Sequence, residues 1–109
     1  MGRGASSEGR TEAAEEEIRR IALRLVDGYW LYFTKDETLN SDGVRLVASA
    51  LRYARWAGPR VRRALREVLR RRDLSSFLKL LEALGLEDAA PYIREVSQGL
   101  PEGLRERCK

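Results

Sequence analysis

Apolar residues recur at three- and four-residue intervals along most of this 109-residue chain, a spacing that constrains it to helices packed around a core. The clearest run is Val61, Ala64, Leu65, Val68 and Leu69, which all fall on one face of a helix. Strand-like alternation is absent, and Leu, Ala, Arg and Glu dominate the composition. The pattern predicts an all-α fold, a compact bundle of about five helices joined by short loops.

Capping residues and chain breaks set the predicted boundaries. Residues 1–10, rich in Gly and Ser, are predicted to form a flexible tail, and residues 11–109 a single helical domain. The predicted helices run from Thr11 to near Lys35, from Ser41 to near Ala57, from Pro59 to near Arg71, from Asp73 to Leu84, and from Glu87 to Gln98. A short helical turn is also predicted within 101–108.

A basic block stands out against the rest of the sequence. Nine arginines and one acid, Glu67, lie between Arg52 and Arg72, although the whole chain has a formal net charge of only +4. Arginine outnumbers lysine eighteen to three, which fits a thermophile or an arginine-rich genome equally well. A local cluster of positive charge favours a polyanionic partner, most plausibly nucleic acid.

Helical projection indicates which arginines face solvent. On the third predicted helix the outward residues are Arg62, Arg63, Arg66 and Arg70. On the second, a polar stripe opposite the predicted Val44, Ala48 and Leu51 face contains Arg45, Ser49, Arg52 and Trp56. A tryptophan among arginines is suited to stacking on a base. Because the two helices are joined tightly, we expect both stripes to contribute to one surface.

Two structural alternatives stand beside this interpretation. A later helix is able to cover Trp56, which lies near a helix end, and packing is the favoured expectation for that side chain. The outward arginines are also able to pair with glutamates elsewhere, the candidates being Glu15, Glu16, Glu17 and Glu95. Exposed pairs of that kind stabilise a fold little.

The leading hypothesis is a small helical protein that binds RNA or single-stranded DNA through largely sequence-independent phosphate contacts, as an accessory subunit of a larger nucleoprotein assembly. The alternative is a protein-interaction module, or a homo-oligomer. The first predicted helix has a wide apolar arc that includes Trp30, and Leu31 projects from its otherwise polar side. Such a surface is suited to burial against a partner.

Catalysis finds no support in the sequence. Histidine is absent, and no zinc-ligand cluster, phosphate-binding loop or nucleophile motif occurs. We therefore predict no enzymatic activity, no metal, no cofactor and no small-molecule substrate. The single cysteine, Cys108, cannot form an internal disulfide, which favours a cytoplasmic protein. No apolar run reaches the roughly 20 residues of a membrane span.

Overall fold

The computed structural model describes the backbone of residues 3–99 and the side chains of residues 9–96, and helices account for most of it. The helical segments are α1 (Arg3–Asp27), α2 (Tyr29–Tyr32), α3 (Ser41–Ser49), α4 (Leu51–Ala54), α5 (Pro59–Arg71), α6 (Leu74–Ala83) and α7 (Ala89–Gly99). Extended pairing in this part of the chain is limited to isolated bridges of Phe33 with Leu39 and of Thr38 with Asp73. The all-α prediction is confirmed. The turn predicted within 101–108 lies outside the described residues.

The first predicted helix is divided in two at Gly28, which leaves the helical conformation with φ −108° and ψ 38°. A Cβ at this position would lie 2.9 Å from the ring of Tyr32, so the approach of that ring favours glycine. The short α2 then ends before Lys35, the predicted limit. At the other end, α1 begins at Arg3 and so includes Gly- and Ser-rich residues ahead of the predicted cap at Thr11.

The second predicted helix is divided at Ala50. Backbone hydrogen bonds join residues three apart at Ala50 and again at Trp56 and Ala57, so single tight turns lie on either side of the short helix α4. The predicted face of Val44, Ala48 and Leu51 is not the buried one, and Leu51 is 44% exposed; the buried residues recur at intervals of three and four on a neighbouring stripe, where small alanines allow close packing. The buried residues of this stretch are Val47, Ala50, Ala54 and Ala57.

The three later helices follow the predicted pattern closely. Pro59 is the first residue of α5, where its missing N–H costs no hydrogen bond. Asp73 caps α6, since its carboxylate accepts a hydrogen bond from the Ser76 N–H at 2.9 Å. Gly85 adopts φ 76° just beyond that helix, as expected of a residue that ends it.

The core is one continuous cluster with buried side chains from every described helix. Aromatic rings fill its centre. The Tyr29 and Phe33 rings stack with centroids 4.8 Å apart, and Phe33 meets Phe77 at 5.5 Å. These large side chains anchor the segment between α2 and α3 against α6.

That segment, residues 33–40, also holds the C-terminal end of α5 in place. The N–H of Leu39 donates to the Arg72 carbonyl at 2.8 Å, and the N–H of Leu74 donates to the Glu37 carbonyl at 2.9 Å. Arg72 itself has a left-handed φ of 59°, which stops α5. The C-terminal end of α5 is therefore fixed against the segment between α2 and α3.

Candidate nucleic-acid interface

The outward face of α5 carries four arginines that the sequence analysis assigned to nucleic-acid binding. Burial of Val61, Leu65 and Val68 turns the opposite side of the helix towards solvent. Arg63, Arg66 and Arg70 are exposed, and Arg62 is partly buried. We call Arg62, Arg63, Arg66 and Arg70 the α5 ridge. Together with Pro59 and Glu67, they line one shallow groove of about 320 Å³.

Three of the four ridge arginines have no acidic partner among the described residues, although Arg62 donates a hydrogen bond to a backbone carbonyl. Within the described residues, Arg63 and Arg66 form no ion pair, whereas Arg70 pairs with Glu67 one turn away on the same helix. Glu67 also lies 3.8 Å from Arg71, which contacts Asp73 at 3.1 Å. One carboxylate in the groove therefore serves two arginines and leaves the ridge with excess positive charge.

None of the glutamates named as candidate partners pairs with the ridge within the described residues, and three of the four have other partners. Glu15 accepts a hydrogen bond from the Gly58 N–H at 2.7 Å. Glu16 pairs with Arg19 at 3.1 Å, and Glu17 with Arg20 at 3.5 Å. No ion pair joins Glu95 to the ridge within the chain that the structure describes. The competing explanation, a ridge neutralised by other helices, does not fit these contacts.

Asp73, at the junction of α5 and α6, is the acid whose titration the structure perturbs. Hydrogen bonds from Ser76 hold the pKa of the Asp73 carboxyl below its ordinary value; burial opposes them less strongly, and the charge of Arg71 adds a still smaller lowering. This carboxylate therefore stays ionised beside the end of the ridge at neutral pH.

The three site residues predicted on the second helix are exposed, namely Arg45, Arg52 and Trp56. Arg45 lies on α3, pairs with Asp42 at 3.5 Å, and shares a separate groove with Arg24. Arg52 is exposed on α4. The groove that contains Arg45 includes none of the ridge residues.

Trp56 is placed in the turn between α4 and α5 and is 38% exposed, so it is only partly packed. The guanidinium of Arg55 lies over its indole, with Cζ 4.9 Å from the ring centroid. Sequence reasoning missed Arg55 as a site residue, because adjacent residues on a regular helix point in different directions. The end of α4 brings the two side chains together, and the Arg-Trp dipeptide was the one available signal.

The turn that carries Trp56 is connected to the ridge and to α1. The Nη1 of Arg62 donates to the Ala57 carbonyl at 3.3 Å, so the first ridge side chain folds back towards this turn. The hydrogen bond from the Gly58 N–H to Glu15 ties the same turn to α1. The geometry therefore brings Arg55 and Trp56 to one end of the α5 ridge.

The residues predicted as a protein interface differ in their exposure. Leu31 is 69% exposed, as expected. Trp30 is partly buried and packs edge-on against Tyr29, with ring centroids 4.8 Å apart. Its buried indole Nε1 has no hydrogen-bond partner among the described residues. Trp30 therefore contributes mainly to packing, and Leu31 is the apolar side chain that this region presents to solvent.

The described part of the chain contains no cluster of three or more potential metal-ligating His, Cys, Asp or Glu side chains. A cleft of about 470 Å³ lies between α6 and α7, where Leu74 and Leu78 meet Lys79, Glu82 and Glu87. Its mixed charges define no particular ligand. None of the helices described here is both long and apolar enough to span a membrane.

Comparisons with known proteins give no match: neither a family model, nor a curated protein, nor a solved structure resembles this chain. The function is therefore inferred from the chain's own residues.

Proposed function

We propose that this protein binds RNA or single-stranded DNA through the α5 ridge, as a non-catalytic accessory subunit of a cytoplasmic nucleoprotein assembly. The observation that carries the proposal is the state of Arg63 and Arg66, which are exposed and form no ion pair within the described residues. They lie in the same groove as Arg62 and Arg70. Guanidinium groups in such an arrangement are suited to phosphate oxygens, which they bind through paired N–H donors.

The geometry of the helix supports phosphate contact rather than base reading. Residues four apart on α5 are separated by about 6 Å along the helix axis, so Arg62, Arg66 and Arg70 form a row of evenly spaced charges. Contacts of this kind depend on the backbone of a nucleic acid and carry little sequence information. Arg52 and Arg45 are exposed charges that extend the basic surface at the periphery, with Arg45 partly neutralised by Asp42.

A matched pair of variants tests the ridge. Arg62, Arg66 and Arg70 are replaced together by Gln, which keeps helix propensity while removing three charges. The control replaces the exposed residues Arg10, Arg20 and Lys35 by Gln, and so lowers the net charge of +4 by the same amount. Fluorescence anisotropy at low salt then measures the affinity for a labelled single-stranded RNA and for single-stranded DNA of the same length.

We expect the ridge variant to bind at least about ten-fold more weakly than the wild type, because three phosphate contacts are lost. The control should stay within about two-fold of the wild type, apart from the small effect of net charge. Equal losses in the two variants would show that total charge, rather than the ridge, governs binding. Circular dichroism of both variants confirms that helix content is unchanged.

The exposure of Leu31 favours protein assembly as the second candidate function. Leu31 is the most exposed of the large apolar side chains that the structure describes. Under this alternative, Leu31→Ser lowers the affinity for a protein partner or a second copy and leaves nucleic-acid binding unchanged. Sedimentation of the wild type and of Leu31→Ser over a range of concentrations measures self-association directly.

A further inference from the structure

We infer that Arg55 and Trp56 together form a stacking site for one unpaired base, which makes the protein selective for single-stranded over duplex nucleic acid. The inference rests on the proposed function, because the strand has to be held by the α5 ridge first. It adds a residue, Arg55, and a class of ligand, an unstacked nucleobase, to the phosphate contacts proposed above.

The chemistry of the pair fits a planar ligand. The Arg55 guanidinium lies over the Trp56 indole at 4.9 Å from the ring centroid, a separation at which cation–π attraction is effective. Within the described residues Arg55 forms no ion pair, and the side chain is exposed. Its planar group therefore remains free to continue the stack, and its N–H donors remain free to bind a flanking phosphate. Bases stack on both aromatic rings and guanidinium planes in single-strand recognition.

The pair is held at a fixed place relative to the ridge. Arg62, the first ridge residue, donates to the Ala57 carbonyl directly after Trp56. Glu15 holds the next N–H, that of Gly58. A strand whose phosphates follow the ridge towards the N-terminal end of α5 arrives at the Arg55–Trp56 pair, and a base that leaves its neighbours can extend the stack.

Duplex nucleic acid cannot use this site in the same way. Its bases are paired and stacked within the helix, so a base reaches the Arg55–Trp56 pair only if it is first unstacked, which is costly. Duplex binding should therefore depend on the ridge alone. Single-strand affinity should depend on both the ridge and the stacked base. Comparing single-stranded with duplex ligands therefore separates the contribution of the stack from that of the ridge.

The experiment compares Trp56→Ala, Trp56→Phe and Arg55→Lys with the wild type. The probes are an oligouridylate of about 12 nucleotides and an RNA duplex of equal length, a size typical of small single-strand sites. The control is Tyr92→Ala, which removes another exposed aromatic side chain, on α7. Quenching of tryptophan emission is followed in a Trp30→Phe background, where Trp56 is the remaining tryptophan of the two in the chain.

We expect Trp56→Ala to weaken oligouridylate binding about ten-fold and to leave duplex binding unchanged, with a smaller loss for Trp56→Phe. Arg55→Lys keeps the charge but removes the planar group, and should lose part of the single-strand preference. Oligouridylate should quench Trp56 emission, and duplex should not. Equal effects on both ligands, or no quenching on saturation, would overturn the stacking site.

The two proposals fail in distinguishable ways. If the Gln variant of the ridge binds as tightly as the wild type, the proposed function is wrong and the stacking site falls with it. If the ridge variant loses affinity while the Trp56 and Arg55 variants retain their single-strand preference, the ridge stands and the stacking site alone is wrong.

Discussion

Glu15 gives the sharpest test of how the fold presents the turn between α4 and α5. Its carboxylate accepts a hydrogen bond from the Gly58 N–H at 2.7 Å, across 43 residues of sequence. Hydrogen bonds to charged groups contribute about 1.5–3 kcal/mol, and partial exposure of Glu15 places this one near the lower limit. The carboxylate also lies at the N-terminus of α5, where the helix dipole favours negative charge. We therefore expect Glu15→Ala to reduce the free energy of unfolding by about 1.5 kcal/mol.

Urea denaturation followed by circular dichroism measures this loss. With a typical urea dependence of roughly 1.5 kcal/mol per molar, the unfolding midpoint should fall by about 1 M. Glu12→Ala is the matched control, because Glu12 is exposed on the same helix and forms no ion pair within the described residues. Glu15→Gln, which keeps an acceptor without the charge, should give an intermediate loss. A midpoint for Glu15→Ala equal to that of Glu12→Ala would refute the role assigned to this contact.

Two further predictions concern α3 and α6. A Cβ at Gly43 would lie 2.5 Å from the Tyr32 carbonyl oxygen, so Gly43→Ala should destabilise the fold by about 1–3 kcal/mol. The control is Gly9→Ala, whose Cβ would have nothing within 4 Å and which should stabilise the fold slightly. Thermal unfolding measures both variants, and equal melting temperatures would contradict the close approach at Gly43. Asp73→Ala removes the α6 cap and should cost about 1 kcal/mol. Because the folded-state pKa of Asp73 lies below its ordinary value of 3.8, this contribution is complete at neutral pH, declines as the pH falls below the ordinary value, and is lost once it passes the folded-state pKa. Wild type and Asp73→Ala should therefore converge in stability in acid, and a difference that grows on acidification would contradict the assigned cap.

The sequence was sufficient where local chemistry decides the structure. The Gly58-Pro59 break, the cap at Asp73 and the turn at Gly85 are signals that act within a few residues, and the helices they bound appear where predicted. The outward direction of the α5 ridge followed from helical periodicity alone, because the opposite face is uniformly apolar.

Tertiary contacts decided the features that the sequence did not reveal. Alanine is the strongest helix former, so the break at Ala50 left no local signal. The buried face of this stretch was predicted wrongly because it consists largely of small alanines, whereas the prediction chose the stripe with the larger Val44 and Leu51. The division at Gly28, by contrast, has a local cause, because the Tyr32 ring that approaches it lies only four residues further along the chain and the glycine itself signals such an approach. The contact of Arg55 with Trp56 depends on where α4 ends.

The dependence of nucleic-acid affinity on salt tests the central proposal most directly. For single strands, the slope of log Kobs against log salt is about −0.7 for each neutralised phosphate, so the four ridge arginines predict a slope near −3 for the wild type. The Gln variant of Arg62, Arg66 and Arg70 should then show a slope shallower by about 2. Absence of binding at low salt, or the same slope in both proteins, would contradict the assignment of the α5 ridge as the phosphate-binding surface.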